Sequence, residues 1–198
     1  MANIATTTFK LMGSREALKN LRIAFIALQQ EEGRSIYLDD LAGYYRIDYK
    51  ARGISVRGSI SWFEYEEDPM VEYYLLSFET ESAWSAPYEL FKAISQLLGD
   101  ELEINYRVIE CGCEVFFVYQ ESAIDFFPEE CCVSASGEPF GDICEDIFDT
   151  LDEAIDLWCA KTGISKGERS TKEMIEFINA YQYDDAETYF YIYEIEHD

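Results

Sequence analysis

The chain has 198 residues, with 40 Asp/Glu against 15 Lys/Arg and a formal net charge of −25. A hydrophobic fraction of 48% with 16% aromatics excludes a wholly disordered chain, and the negative charge argues against direct nucleic-acid binding, which needs a basic surface. No apolar run approaches the roughly 18–20 residues of a membrane helix. The opening MANIATTTFKLMG lacks a basic-then-apolar leader pattern, so a cytoplasmic protein with no membrane association is expected.

The charge is unevenly placed. Residues 1–57 hold nine basic and six acidic side chains, whereas residues 58–160 hold only Lys92 and Arg107 against 25 Asp/Glu. From Val108 to Ala160 there is no basic residue. The six cysteines read as reduced thiols in a cytosolic chain, and Cys144 and Cys159 as small buried apolar residues.

Thr6 to Met12 alternates like a first strand. Ser14 is placed to cap a helix over 15–31 that carries Leu18, Leu21, Phe25 and Leu28 on one face, with Glu31-Glu32-Gly33 ending it. Ile36 to Tyr45 fits a short helix through Leu38, Leu41 and Tyr45, although Tyr44-Tyr45 also suits a strand. Ile54 to Glu66 and residues 71–81 read as a hairpin around Asp68-Pro69.

Ser85 is then an N-cap, Pro87 falls in the first turn, and Leu90, Phe91, Ile94, Leu97 and Leu98 form one apolar helical face before Gly99. Glu101 to Glu110 alternates, with Leu102, Ile104, Tyr106 and Val108 inward and Glu103, Asn105 and Arg107 toward water. After Cys111-Gly112-Cys113 come an apolar strand over Glu114 to Gln120, a turn at Phe126-Phe127-Pro128, and a short strand at Cys131 to Ala135.

Residues 136–149 read as an acidic loop. Thr150 to Glu153 and Ser170 to Glu173 have the spacing of capping boxes, each opening a helix. The aromatic run Thr188 to Ile195 reads as a strand that pairs with the main sheet. The order of elements implies an α+β fold with a mostly antiparallel sheet.

The segment Ala83-Trp84-Ser85-Ala86-Pro87-Tyr88, the Leu/Phe helix behind it, Tyr106 and Glu110-Cys111-Gly112-Cys113 together resemble the YubB-type family of small plasmid and phage proteins. The resemblance is clearest over residues 59–119. Other members often carry two prolines after the Trp, where this chain has Ala86-Pro87. The resemblance implies a ferredoxin-like core with helices on one face, over residues 1–135, and a mobile-element setting. Residues 136–198 would form an acidic C-terminal extension packed on that core. It brings no established catalytic residues.

No catalytic constellation stands out. The single histidine, His197, adjoins the terminus, and the carboxylate pairs Glu64/Glu66 and Glu79/Glu81 read as solvated faces. No cofactor is implied. The strongest signal is the acidic block, in which Glu145, Asp146, Asp149, Asp152, Glu153 and Asp156 have no base within the stretch. Asp149, Asp152, Glu153 and Asp156 recur at helical spacing.

Such carboxylates could occupy a basic, nucleic-acid-binding surface on a protein partner, with fast, salt-sensitive association. The expected function is therefore a non-enzymatic accessory protein that mimics nucleic acid toward a host defence enzyme. The alternative is a ligand site at Trp84 and Tyr88, or a metal site at Cys111 and Cys113. The C-x-C spacing is a poor match to zinc motifs.

Overall fold

In the computed structural model, residues 3–29, 34–68 and 70–198 are described, the side chain of Cys113 excepted. The expected helix end at Glu31-Glu32-Gly33 and Pro69 of the hairpin turn lie outside them. The chain forms two compact units, residues 3–127 with Asp198, and residues 128–197. The fold is α+β with mostly antiparallel sheets, and six α-helices occur among the described residues.

In the first unit, β1 (Ile4–Gly13) leads into α1 (Arg15–Leu28), which Ser14 caps by accepting a bond from the Ala17 amide. β2 (Ile36–Tyr37), α2 (Leu38–Tyr44) and α3 (Tyr49–Arg52) follow. The ambiguous stretch is thus mainly helical, with two residues of strand before it. β3 (Gly58–Asp68) and β4 (Tyr73–Ala83) form the hairpin. Then come α4 (Tyr88–Leu97), β5 (Leu102–Glu110), a 3₁₀ turn at Cys111–Cys113 and β6 (Val115–Gln120).

Ser85 does not cap α4. Its carbonyl accepts from the Ser82 hydroxyl, and Pro87 occupies the cap position with no side-chain bond. Within this unit the strands lie in the order β6-β5-β1-β4-β3-β2, more strands than a four-stranded sheet would need.

Register explains the core. Tyr119, Tyr106, Phe9, Phe78 and Phe63 are successive cross-strand partners on β6, β5, β1, β4 and β3. They form one aromatic row across the sheet. Phe25 of α1 stands edge-on to Phe63 and Phe78 at 5.3 Å. Phe91 of α4 meets Phe9 and Phe78 at 4.8 and 4.7 Å. Contacts of this kind contribute about 0.5–1.5 kcal/mol each beyond simple burial. The row therefore fixes both helices on one face of the sheet.

The opposite face of β5 is not uniformly wet. Asn105 is fully buried, because its Oδ1 accepts from the amides of Glu121 and Ser122 and its Nδ2 donates to the Lys10 carbonyl.

The second unit has its own sheet. β7 (Cys131–Ser136) lies between β8 (Ile143–Phe148) and β9 (Tyr189–Glu194). The aromatic strand therefore pairs with β7 and not with a strand of the first unit. Part of the expected acidic loop is β8. Its regular alternation is broken by a register shift opposite Val133/Ala135 and by a positive φ at Glu145, which hid the strand.

α5 (Leu151–Thr162) and α6 (Thr171–Asn179) cover one face through Ala154, Ile155, Trp158, Met174, Ile175 and Ile178. Only α6 has a complete capping box. At α5, Thr150 accepts from the Glu153 amide and the return bond is absent.

Candidate functional site

The acidic residues singled out in the sequence lie in the second unit, which carries 18 Asp/Glu against four Lys/Arg. Glu145 and Asp146 are on the edge strand β8, Asp149 is in the connection, and Asp152, Glu153 and Asp156 are on α5. Val133, the cross-strand partner of Asp146, belongs to the core beneath the helices. Asp146 therefore lies on the helix-bearing side of β8, and α5 packs against that strand. Asp149 precedes the helix, so the stripe at helical spacing is reduced to Asp152, Glu153 and Asp156.

These carboxylates differ in engagement. Lys166 Nζ donates to Asp152 Oδ1 at 2.7 Å, and the Thr171 hydroxyl donates to the same oxygen at 3.2 Å. The hydrogen bond from Lys166 holds the Asp152 carboxyl below its ordinary range. The neutralising base comes from the α5–α6 loop, beyond the acidic stretch, and is invisible to a local reading. The side chains of Glu145, Asp146, Asp149, Glu153 and Asp156 have no hydrogen bond or ion pair among the described residues. All but Glu145 are exposed. They are five carboxylates without a partner among the described residues.

Tyr88 is turned against the aromatic row, with its ring 5.2 Å from Tyr119 and 5.8 Å from Tyr106. Its hydroxyl accepts from Lys92 Nζ at 2.7 Å and donates to Glu121 Oε1 at 3.3 Å. Burial raises its pKa.

Trp84 is about half exposed (51%) and adopts φ +74°. That left-handed conformation is unusual for a bulky residue. Among the described residues no ring contact joins Trp84 to Tyr88.

Cys111 is half-buried in the 3₁₀ turn, and the side chain of Cys113 lies outside the described residues. No group of three or more His, Cys, Asp or Glu is arranged to hold a metal among the described residues. Cys131 is buried, and burial pushes its thiol up to about 12. Cys144, expected to be buried, is exposed on β8.

Glu64, Glu66, Glu79 and Glu81 lie on the sheet face away from the helices, and Glu79 accepts from Ser61. His197 is exposed. No helix among the described residues is long and apolar enough to cross a membrane.

Sequence reasoning missed Asn179. Its side-chain amide pairs with both backbone groups of Ile192 on the free edge of β9. An Asn at a helix end is too common a signal to have shown this.

No family model, no curated protein and no solved structure matches the chain.

Proposed function

We propose that this chain is a non-enzymatic accessory protein of a mobile element, built on a ferredoxin-like core. It binds a protein partner through the acidic edge formed by β8 and α5. The core reading is supported by the order strand, helix, hairpin, helix, strand, with β2, α2 and α3 inserted between the first helix and the hairpin, and by the arrangement β5-β1-β4-β3 with every neighbour antiparallel.

The observation that carries the binding reading is the set of unengaged carboxylates at Glu145, Asp146, Asp149, Glu153 and Asp156. Fixed charges of one sign repel each other and work against compactness. Their placement along one edge, with no internal base, suits a basic surface that ordinarily holds nucleic acid. Association would be steered electrostatically and weakened by salt.

The test is capture from host lysate by the full chain at low and high salt, with double-stranded DNA as competitor. The comparison variant is Asp149→Lys/Glu153→Lys/Asp156→Lys. Asp152 is left intact, because reversing it would also break the bond to Lys166. A nucleic-acid-binding protein released by salt and by DNA, and lost in the variant, is the expected result. Capture unchanged by the triple substitution, or indiscriminate retention of many basic proteins, would refute it.

A further inference from the structure

A cavity of about 280 Å3 opens beside β9, lined by Tyr181, Tyr183, Asp185, Tyr189, Phe190 and Tyr191 among others, none of them basic. Alternation along β9 explains part of this lining. Phe190 and Ile192 point into the core and leave Tyr189 and Tyr191 on the other face. These two rings stack at 5.5 Å and 27°. Tyr181 and Tyr183 form a second pair at 4.9 Å and 60°.

Tyr183 is held in place. Its hydroxyl accepts from Trp158 Nε1 at 2.7 Å, and Phe140 stands edge-on to its ring. The loop that closes the cavity carries Asp184, Asp185 and Glu187. Asp185 shapes that loop by accepting from the Glu187 amide at 3.0 Å, and no ion pair neutralises it among the described residues.

Four tyrosines line the cavity together with a carboxylate that has no ion pair among the described residues, and aromatic side chains beside a carboxylate suit a cation with apolar character. The volume lies just below the roughly 300–1,000 Å3 of sites for drug-sized ligands, so one side chain fits better than a larger molecule.

We propose that this pocket receives the alkylammonium group of a lysine side chain presented by the protein partner. The proposal rests on the reading of the second unit as a receptor for a basic protein, and it names the anchor that the acidic edge lacks. The ammonium would lie against the Tyr ring faces near Asp185.

The test is a titration of the full chain, followed by NMR of the tyrosine ring protons. The probes are Nα-acetyl-lysine methylamide, its Nε-trimethyl form and the uncharged norleucine analogue. Both ammonium probes are expected to shift the pocket tyrosines with weak affinity, on the order of millimolar, and the norleucine analogue is not. Tyr191→Leu and Asp185→Asn should each weaken binding about fivefold, the loss expected of one partly desolvated cation–π or ionic contact. Tyr191→Phe keeps the ring face and should bind nearly as the native chain does. A remote pair, Glu64→Gln/Glu66→Gln, should leave binding unchanged.

Equal binding of the norleucine analogue would overturn the proposal. So would absence of ring shifts at high probe concentration, or equal weakening by the remote pair. Loss of probe binding with partner capture intact removes the pocket alone. Probe binding without capture that depends on Asp149, Glu153 and Asp156 supports the pocket and refutes the acidic-edge reading.

Discussion

Asn179→Ala tests how the second sheet is closed. Among the described residues β9 has a strand neighbour, β7, on one side only. On the other side Asn179 Nδ2 donates to the Ile192 carbonyl, and its Oδ1 accepts from the Ile192 amide, both at 2.8 Å. Ile192 is 2% exposed, so water cannot readily replace the lost partners. Each bond contributes about 1 kcal/mol net, and each stranded backbone group adds a desolvation cost, giving roughly 2–4 kcal/mol for the substitution. That is a large share of the roughly 5–15 kcal/mol that separates a folded domain from its unfolded chain.

The assay is urea unfolding followed at Trp158 in a Trp62→Phe/Trp84→Phe background, together with hydrogen exchange of the Ile192 amide. Asn179→Asp supplies a sharper control. It keeps the acceptor for the amide but sets a carboxylate oxygen against the Ile192 carbonyl. Protonation lets the introduced carboxyl donate instead, so its folded pKa is raised above the unfolded value. The variant's stability, relative to the native chain, is then highest at acidic pH and falls as pH rises through that folded pKa. A loss below about 0.5 kcal/mol in Asn179→Ala, well under the net value of a single typical bond, would refute the reasoning if Ile192 exchange were also unchanged.

Two further predictions concern single groups. Thr7 and Thr80 are cross-strand partners, both fully buried, with hydroxyls that find no hydrogen-bond partner among the described residues. Thr7→Val or Thr80→Val should therefore be neutral or stabilise by up to about 1 kcal/mol, whereas Ser82→Ala, which loses its bond to the Ser85 carbonyl, should cost about 1 kcal/mol. Urea midpoints distinguish these outcomes. Lys166→Met should let the Asp152 pKa rise toward the ordinary carboxylate value, read by NMR titration. Because the native pKa is depressed, whatever stability this exposed pair adds is present above the unfolded carboxylate pKa and lost as pH falls through the folded one. The variant and native chain should converge in acid.

Sequence legibility followed the range of the interaction. Helices α1, α4, α5 and α6 were legible because caps and apolar spacing are local: Ser14, Thr150 and Ser170 each cap the helix expected of them. The β3–β4 hairpin was legible for the same reason. The placement of β9 was not, because TYFYIYEI has the composition of a strand in any sheet. Its partner was decided by the Cys131–Ser136 register, a pairing across more than fifty residues of sequence.

The wet face expected of β5 failed at Asn105, whose polarity serves a distant loop. At the candidate edge, the acidic residues were legible as a block, but which of them were free was not. The base that engages Asp152 comes from Lys166, fourteen residues on.

The same sorting explains how so acidic a chain holds its shape. Several carboxylates act as acceptors for backbone amides at helix starts, in loops and on a strand. Asp48 takes the Ala51 amide, Glu110 that of Gly112, Glu121 that of Ile104, Glu130 that of Leu151 and Glu173 that of Ser170. These carboxylates are engaged by backbone N–H groups. At Glu173 the hydrogen bond from the Ser170 amide lowers the carboxyl pKa. A carboxylate that serves the backbone has a structural reason to be where it is. Among the described residues, Glu145, Asp146, Asp149, Glu153 and Asp156 serve no amide and no base. Their charge adds repulsion without an internal return, and that contrast, more than the total of −25, marks the β8–α5 edge as the surface to test for a partner.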